Sequence, residues 1–208
     1  MELGAGILHI LLLFSLSCLN TSAAPVLSKI INMSYQLAAE LNHSTPALLR
    51  LYFSTQGYPF VNESALVCRV EVKCLPKGHL AKMEENEMLK KIYVGAKQFN
   101  LHLKNIVLQQ RNINSPKSKL CTELENTQTQ LRSLQSNVQS ILHARGHHVP
   151  GGVICPPEDI AIPDNLFLQK QQGCAILREF KHYIKEVLKS FRRLSRNFHR
   201  TAIVLHRT

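Results

Sequence analysis

From Cys174 to Phe198, apolar residues recur at intervals of 3 and 4: Cys174, Leu177, Phe180, Ile184, Val187, Phe191, Leu194 and Phe198. At 3.6 residues per turn this sets them on one stripe of a helix about seven turns long. Two more stripes have the same spacing. One is Leu89, Ile92, Ala96, Phe99, Leu103 and Ile106, behind an acidic start at Glu84, Glu85 and Glu87 that suits the positive end of a helix dipole. The other is Leu120, Leu124, Thr127, Leu131, Leu134, Val138 and Ile141, with Ser115-Pro116 as a cap and first-turn pair and Gly146 as a stop. A fourth pattern, from Leu27 to about Thr55, puts Ile30, Ile31, Ser34, Ala38 and Leu41 on a shared face before Pro46 interrupts it. It reads as a kinked helix, or two short helices in line, ending at Gly57-Tyr58-Pro59. Strand-like alternation of useful length is absent, so the class is all-α.

The connections then select the topology. About eight residues, around "QQRNINSP", separate the second and third patterns, which makes those two helices antiparallel neighbours. The other two connections are long, roughly 57–80 and 146–164. Two long crossover loops around one short link fit a long-chain four-helix bundle running up-up-down-down, and fit no simple up-down bundle.

Residues 6–19, "GILHILLLFSLSCL", followed by "NTSAAP", have the form of a secretory signal peptide cleaved near Ala23 or Ala24. The apolar run is too short to span a membrane. The expected organisation is a signal peptide over 1–24 and one helical domain over 25–208, with a secreted, extracellular product. Cleavage leaves 184 residues carrying 25 Lys and Arg against 13 acids, a formal charge of +12. It also leaves Cys68, Cys74, Cys121, Cys155 and Cys174, an odd number in an oxidising compartment, so at least one thiol stays unpaired. Asn32, Asn42 and Asn62 head N-x-S sequons compatible with glycosylation.

Three segments carry a family resemblance. "LNHSTPALLRLYFSTQGYPFVNESALVC", with its Gln-Gly-x-Pro-Phe corner and downstream cysteine, "LRSLQSNVQS", and "LFLQKQQGCAILREFKHYIKEVL" together resemble the leukemia inhibitory factor branch of the interleukin-6 family, in a divergent, fish-type version. The resemblance implies a four-helix cytokine acting as a growth factor, without catalysis or cofactor. It would bridge two partners, the leukemia inhibitory factor receptor and the shared transducer glycoprotein 130, as a monomer. It also implies a Cys68–Cys174 disulfide, which the topology favours too, since the first helix ends and the fourth begins at the same end of the bundle. The branch's leader cysteines are missing here, and Ser140 and His143 stand at the third-helix positions they would bond. Cys74, Cys121 and Cys155 lie outside the pattern. Cys74–Cys121 is geometrically reasonable and Cys74–Cys155 is its rival.

By the same resemblance, glycoprotein 130 docks on the first and third helices at Met33, Gln36, Glu40, Ser133 and Asn137. A glycan on Asn32 would stand beside Met33, so Asn42 is expected to be occupied and Asn32 little or not at all. The receptor-specific contact matches Phe167 and Lys170. Periodicity alone leaves Phe167 between core and surface, because it lies seven residues ahead of Cys174 with the polar turn "QKQQ" between them. The Phe-x-x-Lys match favours the surface.

His143, His147, His148 and Cys155 have ligand types suited to zinc, but no acid to support such ligands is evident nearby except Glu158 and Asp159; an exposed helix end beside a basic loop is the better reading, and no metal is expected. Lys181, Lys185, Lys189, Arg192, Arg193, Arg196, Arg200 and Arg207 give the fourth helix and tail a basic face, read either as a site for heparin-like glycans or as a solvated surface. Nucleic acid is not expected, because the chain lacks Trp and any aromatic-basic interleaving. Gly-x-Ser-x-Gly, a phosphate-cradling glycine loop and His-Glu-x-x-His are all missing, so an enzyme is not expected either. The rival to a cytokine is a secreted cationic protein acting on glycans or membranes.

Overall fold

A computed structural model describes the backbone of residues 3–151 and 155–205, and side chains from residue 25 to 198 except 81 and 152–154. The described residues form α1 (Leu3–Gln56), α2 (Phe60–Val67), α3 (Glu85–Ile113), α4 (Lys119–Ala144) and α5 (Leu166–Leu205), with 3-10 turns at Leu80–Lys82 and Pro157–Asp159. Among them no helix is long and apolar enough to cross a membrane.

Side-chain contacts fix the direction of the four long helices. Tyr52, near the end of α1, donates to the Lys170 carbonyl near the start of α5 at 3.0 Å. Gln56, the last residue of α1, donates to Gln110 near the end of α3 at 2.8 Å. Arg145, just past α4, pairs with Glu85 at the start of α3 at 2.9 Å. So α1 and α3 run one way, α4 and α5 the other, and every packed neighbour is antiparallel: α1 lies against α4 and α5, and α3 against α4 and α5. This is the up-up-down-down bundle.

All three clean stripes are buried. Every member from Leu89 to Ile106 and from Cys174 to Phe191 is 0% exposed, and Phe198 is packed on the core's edge. Around Pro46, α1 remains one continuous helix. The hydroxyls of Ser44 and Thr45 bond back to the Leu41 carbonyl one turn earlier, at 3.3 and 2.5 Å. The expected cap of α4 moves: Ser115 closes a turn with Ser118, and Ser118 caps the helix by accepting from the Cys121 amide at 3.3 Å. Gly146, at φ 68°, does stop it, with the Gly146 amide on His143 and the His147 amide on Leu142. The link between α3 and α4 is only 114–118, because α3 continues through the buried Gln109 and Gln110.

Two disulfides hold the crossovers. Cys68–Cys174 joins the end of α2 to α5, with Cα atoms 5.6 Å apart. The open choice for Cys74 falls to Cys155, at a Cα separation of 5.8 Å, and not to Cys121, which is a buried free thiol. Cys74 and Cys121 do not share an end of the bundle. By residue 74 the first crossover has come down beside the middle of α3, where Gln98 donates to the Cys74 sulfur at 3.6 Å. Cys121 lies in the first turn of α4. Gln98 and Ile113, where α3 ends, are separated by about 22 Å of helix.

Candidate functional site

One candidate site sits where α1 ends and α5 begins. Asn165 starts α5: its side chain accepts from the Leu168 amide at 3.1 Å, and Gln169 reaches back to the Pro163 carbonyl at 2.7 Å. The first turn of α5 projects past the core, leaving Leu166, Phe167 and Leu168 48%, 45% and 48% exposed. Phe167 is therefore neither core nor free. Its ring leans on Phe60, the buried first residue of α2, with centroids 5.7 Å apart. Lys170 donates to the Gln56 carbonyl at 3.4 Å, placing a cation on the negative end of α1. Together with Tyr58, Phe60, Asn165 and Leu166, the predicted pair lines one shallow depression of about 330 Å³.

This corner is held by a close contact between helices. A Cβ on Gly173 would stand 3.0 Å from the Tyr52 ring carbon Cζ and closer still to its hydroxyl, so α5 can approach the buried Tyr52 only at a glycine. Burial pushes the Tyr52 phenol far above its ordinary range, which keeps it a neutral donor to the Lys170 carbonyl. Sequence reasoning did not find Tyr58, Leu166 or Leu168. Tyr58 is 77% exposed and donates to Glu63 at 3.1 Å, and that bond to the carboxylate, followed by its charge, raises the Tyr58 pKa. Its place in the Gly-Tyr-Pro-Phe corner was the available signal.

A second candidate lies between α1 and α4. Met33, Gln36, Glu40, Ser133 and Asn137 come together, with Leu37 and Ser136, around an open depression of about 460 Å³. Met33 is 46% exposed. Asn32 stands one helical turn before Gln36 on the line that continues to Glu40, so a sugar there would lie along this depression.

The remaining candidates disperse. Cys155 is bonded to Cys74, which removes it from the set with His143, His147 and His148. No cluster of three or more potential metal ligands occurs among the described residues. On α5, Lys181, Lys185, Lys189, Arg192 and Arg196 are exposed. Arg193 does not belong to that basic face: it turns inward to donate to the Met83 carbonyl and the Met88 sulfur. The side chains of Arg200 and Arg207 lie outside the described residues.

Comparison with known proteins assigns the architecture to a family. Residues 29–191 match the model of the LIF / OSM family. The chain is 25% identical over 177 residues to cardiotrophin-2 of Mus musculus, covering 80% of this chain and 84% of that protein. It is 24% identical over 189 residues to cardiotrophin-2 of Pan troglodytes, covering 83% and 91%. Members of the family are signalling ligands, not enzymes, and bind receptors of the glycoprotein 130 family. The chain is a helical cytokine of the LIF / OSM family.

Proposed function

We propose that this cytokine, secreted after removal of residues 1–24, acts as a monomer that bridges the leukemia inhibitory factor receptor and glycoprotein 130. In this reading the former takes the corner at Phe167 and Lys170, and the latter takes the depression lined by Met33, Gln36, Glu40, Ser133 and Asn137. The observation that supports it is the separation of two exposed, independently built surfaces. Gln36 and Gln56 are 20 residues apart on one helix, so the sites lie about 30 Å from each other along α1. Two receptor chains can then be held by one rigid ligand without sharing a contact. At the corner, the Phe167 ring offers an apolar anchor and Lys170 a cation at its rim, an arrangement typical of a hot spot.

The test is binding of each receptor ectodomain separately. Phe167→Ala with Lys170→Ala is expected to weaken the leukemia inhibitory factor receptor by at least about 2 kcal/mol, roughly thirtyfold in Kd, and to leave glycoprotein 130 unchanged. Met33→Arg with Ser133→Glu should do the reverse. Full-strength binding of the first variant to the leukemia inhibitory factor receptor would refute the assignment of the corner. A pull-down from cell surfaces, with the retained chains identified, tests the pair of partners as a whole.

A further inference from the structure

We infer that the outward face of α5 is a docking strip for a sulfated glycosaminoglycan chain. Lys181, Lys185, Arg192 and Arg196 are spaced by 4, 7 and 4 residues, which confines them to about 60° of helix circumference over about 22 Å. All four are exposed, and among the described residues none of them makes an ion pair. Lys189 lies beside the line but is tied to Glu186 at 2.6 Å. The acids of this part of α5, Glu179 and Glu186, line with Glu71 the hollow where the first crossover meets α5; of the strip only Lys185 borders that hollow, and Glu186 is occupied by Lys189 and by His79 at 3.7 Å. The result is a straight row of cations, none tied in an ion pair, that meets a linear polyanion along its length.

The surroundings narrow the class of polyanion. A membrane-surface helix inserts its apolar side, but the apolar side of α5 is committed to the core from Leu177 to Leu194. The strip holds no aromatic side chain on which bases could stack. Two disulfides suit an oxidising, extracellular setting, where sulfated glycans are the linear polyanions at hand. The strip also begins 11 residues beyond Lys170, about 16 Å along the helix, and lies on α5, whereas the other candidate surface is lined by α1 and α4 residues alone. A glycan seated there leaves both candidate receptor surfaces open, so the inference does not rest on the receptor reading.

The experiment measures binding of the mature chain to immobilised heparin across a salt series. One variant combines Lys181→Ser, Lys185→Ser, Arg192→Ser and Arg196→Ser. A control removes the same charge elsewhere, at Lys91, Lys104, Lys117 and Arg132, all exposed and all changed to Ser. The strip variant is expected to lose about tenfold or more in affinity, and its slope of log K against log salt to fall by about one per cation removed. The control should keep most of both. Half-variants, Lys181 with Lys185 and Arg192 with Arg196, should each take part of the slope, and they keep the test informative should the fourfold variant fold poorly. Equal losses in strip and control variants would show that only net charge matters and would overturn the proposal. So would undiminished binding to N-desulfated heparin, or capture by phosphatidylserine vesicles with none by heparin.

Discussion

Gly173→Ala adds one methyl group in a helix, a change that by propensity alone should stabilise α5 by about 1 kcal/mol. The contact with Tyr52 predicts the opposite sign. The new Cβ falls 3.0 Å from Tyr52 Cζ and closer to its hydroxyl, and Tyr52 is 0% exposed, so its ring has no empty space to enter. Overpacking of this kind costs about 1–3 kcal/mol. Displacing the hydroxyl from the Lys170 carbonyl, where it sits at 3.0 Å, adds about 1 kcal/mol. Set against the propensity gain, the expected loss is about 2 kcal/mol, or roughly 4–8 °C in Tm for a domain of this size. Thermal or urea unfolding followed by circular dichroism measures it. Tyr52→Phe removes the atom nearest the clash, so Gly173→Ala should cost at least about 1 kcal/mol less in that background. The corner should respond as well, because Tyr52 grips α5 at Lys170, and receptor binding in Gly173→Ala should weaken in step. A Gly173→Ala protein as stable as the parent, or costs that simply add in the double variant, would refute the close-contact argument.

Three further outcomes are expected. Cys68→Ser removes a bridge spanning 106 residues, but with Cys74–Cys155 already closed the ring it completes is only about 27 residues; the chain-entropy loss then falls from about 4.7 to about 3.5 kcal/mol, and an unchanged melting curve under oxidising conditions would contradict the pairing. His102 is 1% exposed with its Nε2 unpartnered, and burial lowers its pKa more than its bonds to the backbone of Cys74 and Lys73 raise it. Below its ordinary pKa of about 6.5 the unfolded chain takes up a proton that the folded one resists, so stability should fall as pH drops from about 7 towards the lowered folded pKa; a His102→Gln protein that loses as much Tm on acidification would assign the effect elsewhere. Peptide mapping of active protein should find sugar on Asn42 and little on Asn32, and full occupancy of Asn32 would displace the candidate surface between α1 and α4.

The bundle was legible because its core is written in residues of one kind. Leu89 to Ile106 and Cys174 to Phe191 are apolar at every stripe position, and all are buried. Legibility failed where polar residues hold core positions or where a chain path decides the contact. Gln110 is 0% exposed, bonded to Gln56, and it disguised the last turn of α3 as loop. The eight residues of α2 bury only Phe60, too little for a periodic signal. Cys74 found Cys155 through the descent of one crossover past α3, which no spacing encodes. Phe167 was ambiguous in the sequence for a reason visible in space. It lies two turns ahead of Cys174 on the core side of α5, yet at the bundle's end, packed on Phe60, it stays 45% exposed.

The Cys68–Cys174 bridge has a consequence for how the protein meets proteases. The exposed Arg69, Lys73 and Lys77 in the first crossover are natural cleavage points for trypsin-like proteases. Yet any single cut between residues 68 and 174 leaves both fragments covalently joined. The long helices would keep their places, and with them both candidate receptor surfaces and the basic strip. A nicked molecule would run as one band without reductant and as two with it. Proteolysis in these crossovers would thus mark the cytokine without releasing a fragment; release would require a cut before Cys68 or beyond Cys174, or reduction of the Cys68–Cys174 bridge, together with Cys74–Cys155 where the cut falls between those two.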